Sequence, residues 1–144
     1  MAIVEERSAG MLVFYNPTGR LGGEEFLLLD YGQYWDYPKG HVEGDDEDDL
    51  AAAKRELREE TGIGDVAVMP GFRREIVYFF RSKRGLVRKQ VTFFLARADP
   101  RPTVALSHEH TDHVWLKYPQ ALERLNYASA KDVLRAARAF LDER

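Results

Sequence analysis

Residues 40–63 read GHVEGDDEDDLAAAKRELREETGI, and this stretch decides the fold. Helix formers dominate from Asp48 to Thr61. The acidic run before them supplies caps and negative charge for a helix N-terminus, and Gly62 stands where helices commonly end. Leu50, Ala53 and Leu57 form a stripe that can face a core. Glu56, Glu59 and Glu60 stand at i, i+3 and i+4, which puts three carboxylates on one side within about 5–6 Å at Cβ. Like charges at that spacing destabilise a helix, so something must compensate. A divalent hard cation does so directly, and magnesium, which keeps waters and also binds phosphates, suits an open carboxylate face.

The distribution of charge points the same way. Residues 43–60 hold nine acids against Lys54, Arg55 and Arg58, whereas residues 71–90 hold seven bases (Arg73, Arg74, Arg81, Lys83, Arg84, Arg88 and Lys89) and only Glu75 as an acid. An acidic cluster beside a basic stretch suits a metal-bridged anionic substrate. At 144 residues, 44% hydrophobic and 31% charged, the chain is expected to be one globular domain spanning 1–144. The absence of cysteine excludes disulfides, a thiolate nucleophile and cysteine-ligated metals. No apolar run reaches the ~20 residues of a membrane span, and the first residues lack the pattern of a signal peptide, so a cytoplasmic protein is expected.

Working outward, Ala9–Asn16 and Glu25–Tyr31 read as buried strands joined by a turn. Tyr34-Trp35-Asp36-Tyr37 runs into Pro38, which biases Tyr37 towards extended backbone. Val66–Ser82 and Leu86–Ala98 read as a long hairpin in which Val87, Lys89, Val91, Phe93 and Leu95 share a face. Val114–Leu116 reads as a short strand and Pro119–Leu125 as a short helix. A terminal amphipathic helix follows, with Ser129 as its N-cap. Strands, one intervening helix and closing helices favour an α+β fold over a doubly wound parallel sheet.

Arg55-Glu56-Leu57-Arg58-Glu59-Glu60-Thr61-Gly62-Ile63, with Glu47 eight positions before Arg55 and Gly40 before that, resembles the Nudix box G-x5-E-x7-R-E-U-x-E-E-x-G-U, where U is aliphatic. Six residues rather than five separate Gly40 from Glu47. Either the loop carries an insertion ahead of Glu47, the reading preferred because loops tolerate length changes, or Asp46 replaces the glutamate and the extra residue falls later. The flanks Tyr37–Glu43 and Leu106–His110, the latter followed by Val114-Trp115-Leu116, and the strands at Tyr78-Phe79-Phe80 and Lys89–Leu95, resemble the branch of that family that hydrolyses diadenosine tetraphosphate asymmetrically to ATP and AMP.

The resemblance implies an α/β/α sandwich around a mixed β-sheet, magnesium or manganese as cofactor, and a small dinucleoside polyphosphate or related nucleotide as partner. It implies that Glu56, Glu59 and Glu60, with the Gly40 carbonyl, hold the metal, and that Arg55 orients the carboxylates. Glu47, early in the helix, would support the loop and helix terminus. Lys39, His41 and Lys89 are candidates for phosphate contact, Tyr78 for stacking on adenine, and Glu60 or Glu109 for the base that activates water. His108, His110 and His113 lack the spacing of a helical zinc site. Other Nudix substrates, such as an oxidised nucleoside triphosphate, a nucleotide sugar or an RNA 5′ end, remain alternatives. A nucleic-acid-binding module without catalysis has no use for three mutually repelling carboxylates.

Overall fold

The computed structural model describes residues 2–144. In chain order the elements are β1 (Val4–Tyr15), β2 (Glu25–Asp30), β3 (Trp35–Asp36), β4 (Lys39–His41), α1 (Asp49–Thr61), β5 (Ala67–Val68), β6 (Arg74–Ser82), β7 (Gly85–Arg97), β8 (Asp112–Lys117), α2 (Tyr118–Arg124) and α3 (Ala128–Asp142). The sheet is mixed: β1 runs parallel to β7, with Leu12 opposite Leu95, and antiparallel to β2, with Phe14 opposite Phe26. β3 and β8 pair with β2, β4 pairs with β1, and β5 and β6 pair with different parts of β7.

The central strands are buried on both faces, which is why they read as continuous apolar runs rather than alternating ones. Leu12, Phe14, Phe26, Leu28, Val91, Phe93 and Leu95 enter the core under α2 and α3. Met11, Val13, Leu27, Leu29, Phe94 and Ala96 enter the core under α1, with Ala52, Ala53 and Leu57. Helices therefore cover both faces of a mixed sheet, the sandwich the resemblance implies. Truncating fully buried Leu57 to alanine removes the centre of the α1 stripe, a class of change that costs about 2–5 kcal/mol.

Three local readings are corrected. β1 begins at Val4 rather than Ala9, because its charged half is stabilised by neighbours across the parallel pairing with β7: Glu5 pairs with Arg88, and Glu6 with Lys89 and Arg84. The first arm of the long hairpin is broken between Val68 and Arg74 by Pro70-Gly71, with Gly71 at φ +93°. Ser129 does not cap α3; Tyr127 holds that position in extended backbone without a side-chain bond, and Ser129 lies inside the helix beside a cavity.

Candidate active site

Helix α1 starts cleanly because the Asp48 carboxylate accepts from the Ala51 amide, and it stops at Gly62, whose φ of +77° closes the last turn onto Arg58. Within it Arg55 is a hub, with Nε and one terminal nitrogen each 2.9 Å from an Asp46 oxygen. Its other terminal nitrogen donates to Glu56 at 2.9 Å and Glu59 at 2.9 Å, and a further bond reaches the His41 carbonyl at 2.9 Å. The bidentate fork holds the Asp46 carboxyl down at about 2. This corrects the register of the preceding loop: Asp46, not Glu47, takes the acidic position that braces the arginine, and Glu47 is exposed and lies ahead of the helix. The extra residue therefore falls between Asp46 and Arg55, where the chain turns into the helix and has slack.

Gly40 is required by close approach. A Cβ there would lie 2.0 Å from Glu56 Oε1, so glycine lets β4 receive that carboxylate where a larger residue would push it aside. One helical turn on, Glu60 is buried at 4% exposure, and its Oε1 accepts from the Lys39 amide at 2.9 Å. The segment after β7 is tied to the end of α1, with Ala105 N donating to Thr61 O at 2.8 Å and Ser107 N to Glu60 O at 3.0 Å. These two bonds carry Glu109 and His110 to Glu60. His110 Nε2 lies 3.1 Å from Glu60 Oε2, and one ligand atom from each of Glu60, Glu109 and His110 falls within 4.8 Å of the others.

Burial, reinforced by the Glu56 and Glu109 charges, pushes the Glu60 carboxyl up to about 8. Burial likewise raises Glu56 and lowers His110. His110 Nδ1 has no partner at hydrogen-bond geometry, although the Asp30 backbone is close enough to favour the charged form slightly. Both shifts favour the uncharged forms, the combination in which the Glu60 carboxyl donates to His110 Nε2.

A cavity of about 340 Å³ lies on the α3 side of the sheet, lined by Tyr34, Lys39, Tyr78, Phe93 and Tyr127 among others. Lys39 belongs to both places: its amide holds Glu60, while its ammonium enters the cavity 3.5 Å from the buried Asp36 carboxylate. The ring of Tyr31 bridges the two, edge-on to His110 at 4.5 Å and stacked on Tyr34 at 5.1 Å. Tyr78 reaches the cavity wall, whereas the buried Tyr37 is a core residue whose hydroxyl donates to Ala130 O at 2.6 Å.

The other expected residues are distributed differently. His41 is exposed and meets Arg55 through its carbonyl. Lys89 is buried in β7 and paired with Glu6 at 3.4 Å. Arg84 also binds Glu6, Arg88 binds Glu5, and Arg73 reaches Asp49, so much of the basic stretch is neutralised by acids from β1 and α1. That leaves a weak case for a nucleic-acid-binding face. His108 is exposed and His113 sits in β8 opposite Leu29, so the three histidines do not converge. Residues that the sequence did not single out for the site are His110, Asp36, Tyr31 and Tyr127. His110 stood in a histidine-rich loop, but its contact with Glu60 depends on the tie between that loop and α1.

The donor set fits a divalent hard cation. Buried Glu60 and exposed Glu109 offer converging carboxylate oxygens beside the His110 imidazole, and the Glu56 carboxylate occupies the space that a Cβ at residue 40 would fill. Glu56 and Glu59 are meanwhile held by Arg55, which supplies part of the compensation their mutual repulsion demands.

This arrangement of a glutamate-rich helix on a mixed sheet is that of the NUDIX domain, whose family matches residues 5–137; the chain belongs to the Nudix family. It is 36% identical over 144 residues to the asymmetrical bis(5′-nucleosyl)-tetraphosphatase of Mus musculus, covering 94% of this chain and 95% of that one. It is 31% identical over 140 residues to the enzyme of the same description from Caenorhabditis elegans. A solved binary complex of the C. elegans Ap4A hydrolase superposes with a TM-score of 0.83 at 30% identity, covering 96% of this chain and 99% of that one. Among the described residues no helix is long and apolar enough to cross a membrane.

Proposed function

We propose that this protein hydrolyses diadenosine tetraphosphate asymmetrically to ATP and AMP by attack of water on a phosphoanhydride, with magnesium or manganese bound at the carboxylates of α1. The observation that carries the reading is Lys39: its backbone amide fixes the buried Glu60, and its ammonium enters the tyrosine-lined cavity, so one residue joins the carboxylate corner to a site for a flat base. The family relationship and the names of the relatives support the same substrate.

A bound divalent cation neutralises charge on the phosphates and lowers the pKa of water. The chain supplies the rest. Gly40, Glu56, Glu59 and Glu60 provide oxygens for the metal, and Arg55 holds Glu56 and Glu59 in register. Glu109, exposed beside Glu60, accepts a proton from the attacking water. Lys39, which lines the cavity, favours the polyphosphate by charge, whereas Lys89 is already paired with Glu6 and contributes through that pair; His41 lies at the rim, and Tyr78 with Tyr34 and Tyr127 offers faces on which a base stacks.

Product analysis of diadenosine tetraphosphate turnover in oxygen-18 water tests this. AMP and ATP in equal amounts are expected, with the label in one of them identifying the phosphorus attacked. Two molecules of ADP, or no turnover with either metal, would overturn the assignment.

A further inference from the structure

Among the described residues, strand β6 is an edge that nothing blunts. It pairs with β7 alone, and its centre, Val77-Tyr78-Phe79-Phe80, is exposed at 44%, 39%, 55% and 38%. Tyr78 turns towards the cavity, but Val77 and Phe79 point to the opposite face, opposite Gln90 and Arg88, where the cavity cannot use them. Edges of this kind are normally broken by an inward charge, a bulge or a proline. Here the charges stand only at the flanks.

Those flanks are self-complementary. In an antiparallel pairing of β6 with itself about a two-fold axis at Tyr78, Glu75 falls opposite Arg81, Ile76 opposite Phe80 and Val77 opposite Phe79 of the second copy. Paired residues share a face, so each Glu75 meets one Arg81 of the other copy, two such pairs per dimer. Arg81 makes no ion pair within its own chain among the described residues, and Glu75 has only a 3.4 Å contact with Arg73 and a 3.0 Å bond from Gln90.

The backbone phase agrees with this register. The two-residue turn Lys83-Arg84 makes Ser82 and Gly85 a hydrogen-bonded pair, so Ser82, Phe80, Tyr78, Ile76 and Arg74 direct their amides and carbonyls towards β7. Glu75, Val77, Phe79 and Arg81 direct theirs outward, and these are the residues that oppose one another across the axis.

We propose that β6 is a homodimerisation edge, joining two copies of this chain into one continuous sheet in the register that sets Glu75 against Arg81. A nine-residue edge buries less than a standard interface, so association is expected at micromolar concentration.

Sedimentation equilibrium of the full chain, at about 1 to 500 μM, tests it. The wild type should approach twice 16.6 kDa as concentration rises. Arg81→Glu and Glu75→Arg should each weaken association by about tenfold, because two pairs become repulsive at once, and Glu75→Arg with Arg81→Glu should restore it. Phe79→Lys should leave a monomer whose unfolding transition matches that of the wild type at concentrations below its association range. A wild type that stays monomeric throughout overturns the proposal. So does a dimer indifferent to the single reversals, or one that the double reversal fails to recover.

Discussion

Glu60 and His110 meet with Oε2 and Nε2 3.1 Å apart, both buried, although 50 residues separate them in the chain. The contact ties the end of α1 to the loop before β8, and the burial it shares has its first consequence for stability. The folded pKa of Glu60 is raised to about 8, above that of the unfolded chain. Its contribution is thus complete below the unfolded value near 4.3 and is lost as pH rises towards 8. His110 is lowered, so its contribution is complete above the unfolded value near 6.5 and is lost as pH falls. The two slopes oppose each other below about 6.5, and only that of Glu60 acts above it. In metal-free buffer, the urea midpoint should therefore fall between pH 6.5 and 8.5, and Glu60→Gln should flatten that fall. A wild-type midpoint that rises over this window would contradict the assignment of the raised carboxyl.

Asp46 and Glu47 should differ in their effect on the fold. Asp46→Asn removes the charged acceptor of a bidentate guanidinium and should lower Tm and reduce turnover together, because Arg55 also positions Glu56 and Glu59. Glu47→Gln, at an exposed residue ahead of the helix, should leave both close to wild type. Thermal denaturation of the two variants side by side checks it, and equal effects would return the loop to the other register.

Gly40→Ala should abolish most metal-dependent turnover while keeping the secondary structure. The added methyl would overlap Glu56 at 2.0 Å, and the flexible glutamate, not the paired strand, is the part that yields. Displacing one carboxylate that stabilises developing charge commonly costs about 10²–10³ in kcat. Circular dichroism with a turnover assay checks it, and an active Gly40→Ala variant would show that Glu56 can be moved without consequence.

Much of this site could be read along the chain because it is local. Asp48, the Arg55–Glu60 string and Gly62 belong to one helix and its caps, and spacing alone places Glu56, Glu59 and Glu60 on neighbouring turns. The central strands were legible for a similar reason, since burial on both faces leaves an apolar run. What escaped depends on contacts distant in sequence. The charged first half of β1 is a strand because Glu5 and Glu6 find bases on β7. His110 joins the site because Ala105 and Ser107 bond to the last turn of α1. The cavity gathers Tyr34 from the loop between β2 and β3, Tyr78 from β6 and Tyr127 from the cap of α3, which no single motif spans. The choice between Asp46 and Glu47 could not be made from spacing, because both registers break the box by one residue.

Glu109→Gln should lower kcat for diadenosine tetraphosphate by about 10²–10⁴ with KM largely kept, since a base acts mainly in the transition state. Unchanged kcat across pH would transfer the base role to Glu60 and leave Glu109 with a binding task.

Proton release on Mn²⁺ binding tests the Glu60 corner most directly. A carboxyl poised at about 8 must give up its proton to become a ligand, so titration calorimetry at pH 7 in buffers of different ionisation enthalpy should show about one proton released per protein. Glu60→Gln should bind the ion more weakly and release almost none. Tight binding with no proton release by the wild type, or equal release by Glu60→Gln, would contradict a metal site built on Glu60.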